Sequence, residues 1–86
     1  MMKNPFHPGE ILLEEFLKPA ELTQTAFAQD IGWTRPRLNA FINGKHNVTA
    51  NMALDLAGAT HTTAKFWMNL QASWDLAQAL KKRKAA

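Results

Sequence analysis

The stretch QTAFAQDIGWTRPRLNAF, residues 24–41, decides the fold. Its punctuation divides it into two short helices with a turn between them. Thr23 stands before it as an N-cap, Gly32 ends the first helix, and Thr34 caps the second, which Asn43-Gly44 stops. Helices joined this closely must cross, and the crossing needs a small residue, supplied by Ala28 between Phe27 and Ile31. The turn needs a residue that accepts a left-handed backbone, which Gly32 does. Leu38, Phe41 and Ile42 then recur at helical spacing and press back on the first helix. These positions together meet a helix-turn-helix template.

An ordinary helical hairpin would meet the same turn signals, so the chemistry of the outer face matters. The solvent side of the second helix reads Arg35, Pro36, Arg37 and Asn39. Arginine grips guanine bidentately and asparagine grips adenine, and the N-terminal residues of a recognition helix reach base edges in the major groove. Arg35 and Arg37 are therefore the first base-reading candidates, with Asn39 beside them. Pro36 sits in the first helical turn, where its missing N–H has no intrahelical partner. Gln24, Thr34, Asn43, Lys45 and Asn51 fall at helix ends around this motif. Side chains and backbone N–H groups at such ends clamp phosphates, although plain capping explains the same residues.

Outward from this centre, helical periodicity continues in both directions. Pro8 opens a helix over residues 8–18, with Ile11, Leu12, Phe16 and Leu17 as its apolar stripe and Pro19 as its stop. The central pair falls at 24–31 and 35–43. Thr49 caps a helix over 50–58 carrying Met52, Leu54, Leu56 and Ala57, ending near Gly58. A last and longest helix over 63–82 carries Phe66, Trp67, Leu70, Trp74, Ala77 and Leu80 on roughly one side. Valine is nearly absent and no apolar/polar alternation persists, so the expected fold is all-α, five helices in one domain over residues 1–86.

Charge is unevenly placed. The chain is 86 residues long with a formal net charge of +3. Residues 10–21 hold four of the seven acids, Glu10, Glu14, Glu15 and Glu21, no acid occurs from Ile31 to Leu54, and a basic cluster, Lys81, Lys82, Arg83 and Lys84, lies at the C-terminus. One face thus suits an anion and another suits something else. The basic tail also complements a helix dipole. There is no cysteine, and apolar residues make up 47% of the sequence, enough for a compact core. No apolar run approaches the roughly 20 residues of a membrane helix. A cytoplasmic protein with no membrane partner is the expectation.

Three segments are more specific than the turn. HPGEILLEEFLKPAELTQTAFAQDIG (7–32), LNAFINGKHNVTANMALDLA (38–57) and KFWMNLQASWDLA (65–77) resemble the HigA-type antitoxins, members of the lambda-repressor-like helix-turn-helix class. The resemblance implies a five-helix fold, homodimerisation and binding to a palindromic operator upstream of the chain's own operon. It further implies a cognate RelE-like toxin, an mRNA-cutting ribonuclease, neutralised by direct binding. Carried over by position, Gln24 and Thr34 lie on the phosphate side and Arg35, Pro36, Arg37 and Asn39 face the bases. Phe66, Trp67, Asn69, Leu70 and Gln71 belong to a final helix used for core and dimer contacts, where Trp74 also lies. Two departures stand out: Trp33 occupies the turn where a smaller aliphatic is usual, and Pro36 removes a backbone donor.

Enzymatic readings find little support. His7, His46 and His61 lie far apart, with no HExxH-like pair and no cysteine, and read as surface or capping residues rather than metal ligands. Glu14 and Glu15 are adjacent on a helix and point apart. Neither a phosphate-binding glycine loop nor a nucleophile elbow is present. No catalytic residue, cofactor, metal or small-molecule substrate is expected. Two other functions remain open: a stand-alone helix-turn-helix regulator, and a protein-interaction module that uses its acidic first helix or aromatic last helix. A neighbouring toxin gene separates the first from an antitoxin, and salt-dependent duplex binding separates both from the second.

Overall fold

The computed structural model describes residues 6–85, and among these no strand occurs. The first helix, α1, starts on an unusual cap. His7 has an extended backbone, its Nδ1 accepts the Gly9 N–H at 2.9 Å, and Pro8 follows at the first helical position. The α-helical part, Pro8–Ile11, passes directly into a π-helical segment, Leu12–Leu17, in which the Lys18 N–H reaches Leu13 O at 3.0 Å. A regular helix had been expected across this stretch. Residues five apart on one diverge by about 140°, whereas the wider turn brings Leu12 and Leu17 to the same side. Both are buried at 0% and 1% exposure.

The remaining helices are α2 (Gln24–Ile31), α3 (Arg35–Ile42), α4 (Ala50–Thr60) and α5 (Ala64–Ala85). Each starts on a threonine whose hydroxyl accepts a backbone N–H from the first turn: Thr23 from Ala26, Thr34 from Arg37, Thr49 from Met52 and Thr63 from Phe66. Gly58 does not end α4. The helix runs on to Thr60, whose hydroxyl donates to Leu56 O at 2.7 Å, and it is His61 that turns left-handed at φ 59°. A left-handed non-glycine cap of this kind is tolerated by histidine more readily than by branched residues. α5 extends beyond the expected end, through Lys81–Lys84, where the cations favour the negative end of the helix dipole.

The core lies between the helix-turn-helix pair and the faces of α1, α4 and α5. Leu12, Leu38, Phe41, Leu56 and Trp67 are fully buried within it. Leu54, read as inward from its spacing, is 63% exposed, and Ala53 takes the core position beside Met52 and Leu56. A helix turns 100° per residue, so the face holding 52, 53 and 56 excludes 54. On α5, Trp67 is locked in the core, its indole N–H donating to Thr62 Oγ1 at 2.8 Å, while Leu70 and Trp74 are half-buried and Phe66 is at the margin. Leu76 and Leu80 lie exposed further along. α1 and α3 meet closely: a Cβ on Gly9 would stand 1.8 Å from the carbonyl oxygen of Phe41.

Candidate nucleic-acid interface

Local chemistry sets the angle between α2 and α3. Gly32 turns left-handed at φ 80°, and the N–H groups of Gly32 and Trp33 both return to Ala28 O, at 2.9 and 3.0 Å. Thr34 is extended and caps α3, with Pro36 in its first turn. This geometry buries Leu38, Phe41 and Ile42 and leaves Arg35, Pro36, Arg37 and Asn39 on the outside.

The exposed side chains form an ordered row. Arg35 donates from Nη1 to Thr25 Oγ1 at 2.7 Å and from Nη2 to Gln24 Oε1 at 3.4 Å, a longer contact. Asn39 donates to the same Gln24 oxygen at 3.3 Å, and Asn43 donates to the Asn39 backbone and side-chain oxygens at 2.9 and 3.1 Å. Gln24, Arg35, Asn39 and Asn43 are thus brought together by one network across α2 and α3. Arg37 stands outside it, its guanidinium carbon 4.4 Å from the centre of the Trp33 ring. Lys45 lies exposed in the loop after α3 and Asn51 exposed in the first turn of α4, neither joined to that network. The Thr34 hydroxyl is used as a cap, and as a hydroxyl it keeps a proton to donate.

Three residues that matter here have partners the sequence did not disclose. Trp33 is buried, and its indole N–H donates to Asp55 Oδ2 at 3.0 Å, so an acid of α4 reaches the edge of the basic surface. Only the departure from a small aliphatic hinted at this. Gln71 is buried and holds the α3–α4 loop: it accepts the Val48 N–H at 2.7 Å and donates to Asn47 at 3.2 Å and Asp75 at 2.9 Å. His7, expected as a surface or capping residue, does cap but is only 4% exposed, edge-on to Phe41 and Trp74. Burial lowers its pKa, outweighing the His46 backbone and the carboxylates of Asp75 and Glu10. Its Nε2 is buried without a partner. Among the described residues, no group of three or more His, Asp or Glu could hold a metal ion. None of the described helices is long and apolar enough to cross a membrane.

Two short helices across a left-handed glycine, the second showing arginine and amide side chains, define the helix-turn-helix class. The helix-turn-helix family profile matches residues 13–67, and the chain belongs to that family. It is 40% identical over 74 residues to the uncharacterized HTH-type transcriptional regulator YbaQ of Escherichia coli K12, covering 86% of this chain and 66% of that one. The chain therefore spans just under two-thirds of that relative's length. It is 39% identical over 74 residues to antitoxin HigA-1 of Vibrio cholerae, covering 86% of this chain and 70% of the relative. Among solved structures it resembles the Pseudomonas aeruginosa antitoxin HigA with the higBA promoter, at 35% identity and a TM-score of 0.88. That match covers 95% of this chain and 89% of the other. These three are named as a transcriptional regulator and as antitoxins.

Proposed function

We propose that the chain is a sequence-specific DNA-binding antitoxin. It acts as a homodimer on a palindromic operator, represses its own type II toxin–antitoxin operon, and neutralises a RelE-like mRNA-cleaving toxin by direct contact. One observation carries the DNA reading: the outer face of α3 presents Arg35, Arg37 and Asn39 from a stretch, Ile31 to Leu54, without a single acid. Arg35, Pro36, Arg37 and Asn39 face the bases. Gln24, Thr34, Asn43, Lys45 and Asn51 hold the backbone phosphates. A two-fold dimer sets the two α3 helices in successive major grooves, about 34 Å apart. Phosphate contacts supply affinity that falls steeply with salt, and base contacts supply choice. The last helix, through the margin of Phe66, Leu70 and Trp74 around buried Trp67, contributes to pairing of the two copies. No cofactor is needed, and the work is done in the cytoplasm.

Support for the toxin half comes from relatives that carry the antitoxin name. The regulator name of the Escherichia coli relative favours a second reading, a transcriptional regulator without a toxin. A mobility-shift titration on the chain's own upstream DNA against scrambled duplex, at two salt concentrations, tests the DNA reading. Selective, salt-sensitive binding supports it, and equal binding to both duplexes sinks it for that site. Co-expression with the product of the adjacent gene tests the toxin half: rescue of growth and a stable complex support it, and neither outcome leaves the stand-alone regulator.

A further inference from the structure

On the DNA-reading function proposed above, we infer that Trp33 is a mount for Arg37 that sharpens the base preference Arg37 expresses, with Asp55 locking the mount. Trp33 is a positioning residue in this account, since it touches the arginine and not the base.

The two arginines of α3 are held in opposite ways. Bidentate reading of guanine uses the N–H edge of the guanidinium. Arg35 has that edge engaged, on Thr25 and Gln24. Arg37 is exposed and held by an aromatic face, and among the described residues its guanidinium has no hydrogen-bond acceptor, so its donors remain unengaged. The ring that carries it is fixed from several sides. It is only 6% exposed, its N–H is tied to Asp55, and its edge packs against Phe41 with centroids 5.9 Å apart and planes at 83°. Its own backbone N–H is bonded to Ala28 O. A free arginine loses considerable rotamer entropy when it binds. An arginine already seated on a fixed ring loses less, and it approaches one base pair rather than several. The mount also accounts for an acid at the rim of a basic surface: the Asp55 carboxylate is engaged with the indole.

The test uses the full chain and a pool of random-sequence duplexes, with base preference read position by position. Arg37→Ala identifies the base pair that Arg37 reads. Trp33→Leu is expected to flatten preference at that same base pair by roughly two- to fivefold, the equivalent of one exposed cation–π contact. Preference elsewhere and affinity for unselected duplex should hold. Trp33→Phe, which keeps an aromatic face, restores most of the preference. Asp55→Ala, a change at an exposed side chain that leaves the core intact, gives a smaller loss at the same position. Independently of DNA, the Arg37 side-chain protons of the wild type should show a ring-current shift in the NMR spectrum that Trp33→Leu abolishes and Asp55→Ala reduces. Unchanged preference at the Arg37 position in both Trp33→Leu and Asp55→Ala overturns the mount, as does a wild-type spectrum without the shift. Uniform loss at all positions overturns it as well, and should Trp33→Leu fail to fold, Trp33→Phe and Asp55→Ala decide. A wild type that selects no sequence instead removes the DNA reading, and with it the mount's role, even where the ring-current shift is present.

Discussion

Replacing Gly9 with alanine probes the close approach of α1 to α3. The new Cβ would stand 1.8 Å from Phe41 O, 2.6 Å from Phe41 C and 2.9 Å from Ile42 Cα. All three atoms belong to the backbone of α3, so no rotamer change relieves the clash. Restoring ordinary contact moves α1 away from α3 by roughly 1.5 Å. That shift loosens the packing of Leu12, Leu38 and Phe41 together and disturbs the His7 cap on Gly9. Overpacked sites typically lose 1–3 kcal/mol, and a backbone-on-backbone clash belongs at or above the top of that range, about 3–5 kcal/mol. A domain of this length has a total stability of about 4–13 kcal/mol, so the loss is a large share. Gly58→Ala is the control. Its Cβ meets nothing within 4 Å in the interior of α4, and alanine there should add about 0.5–1 kcal/mol. Urea titrations followed by tryptophan fluorescence and far-ultraviolet circular dichroism measure both. Equal midpoints for wild type and Gly9→Ala would refute the packing argument.

Arg37→Ala should weaken binding to a selected duplex by about 1–3 kcal/mol and relax one base position, with little change on random DNA. Arg35→Ala, which also empties the contacts to Thr25 and Gln24 on α2, should relax a different base position, and relaxation at the same single position in both variants would contradict the two assignments. Gln71→Leu strands the buried Val48 N–H and should cost about 1–3 kcal/mol in urea unfolding. An unaltered midpoint would show that the loop finds another acceptor. His7 has a folded pKa below its unfolded value near 6.5. Its neutral form is therefore the one the fold holds. Stability is full above that unfolded value and falls as pH drops through it towards the folded pKa, by at most about 1.4 kcal/mol per pH unit. His7→Asn, which keeps a capping oxygen, should remove this component of the pH dependence, and an identical slope in the variant would argue against His7 as its source.

The central motif was legible because capping and turn residues act over a few positions. Thr23, Gly32 and Thr34 declare their roles through local backbone chemistry, and the structure places helix ends beside them. What could not be read depends on partners distant in the chain. Nothing within a few residues of Trp33 points to Asp55, 22 positions away, and the loop amide of Val48 finds Gln71 only because α5 returns past it. The π-helical stretch is invisible for a related reason: periodicity assumes the regular pitch that Leu12 and Leu17 break to reach one core. Gly58 misled in the opposite sense, because glycine permits a helix end without requiring one. At the candidate interface the residue types were legible, but not their division into an edge-bound Arg35 and a face-bound Arg37.

All four helices after α1 begin on threonine. Helix stability alone does not demand this, since aspartate caps at least as well and its charge would suit the positive end of the dipole. For a surface that meets a polyanion the two choices differ. A carboxylate at Thr23 or Thr34 would cancel the partial positive charge of the helix mouth and repel an approaching phosphate. A hydroxyl satisfies the same amide and leaves the mouth electropositive. On the proposed DNA-facing side, electroneutral capping at Thr23 and Thr34 would let the same two side chains serve local folding and spare long-range attraction.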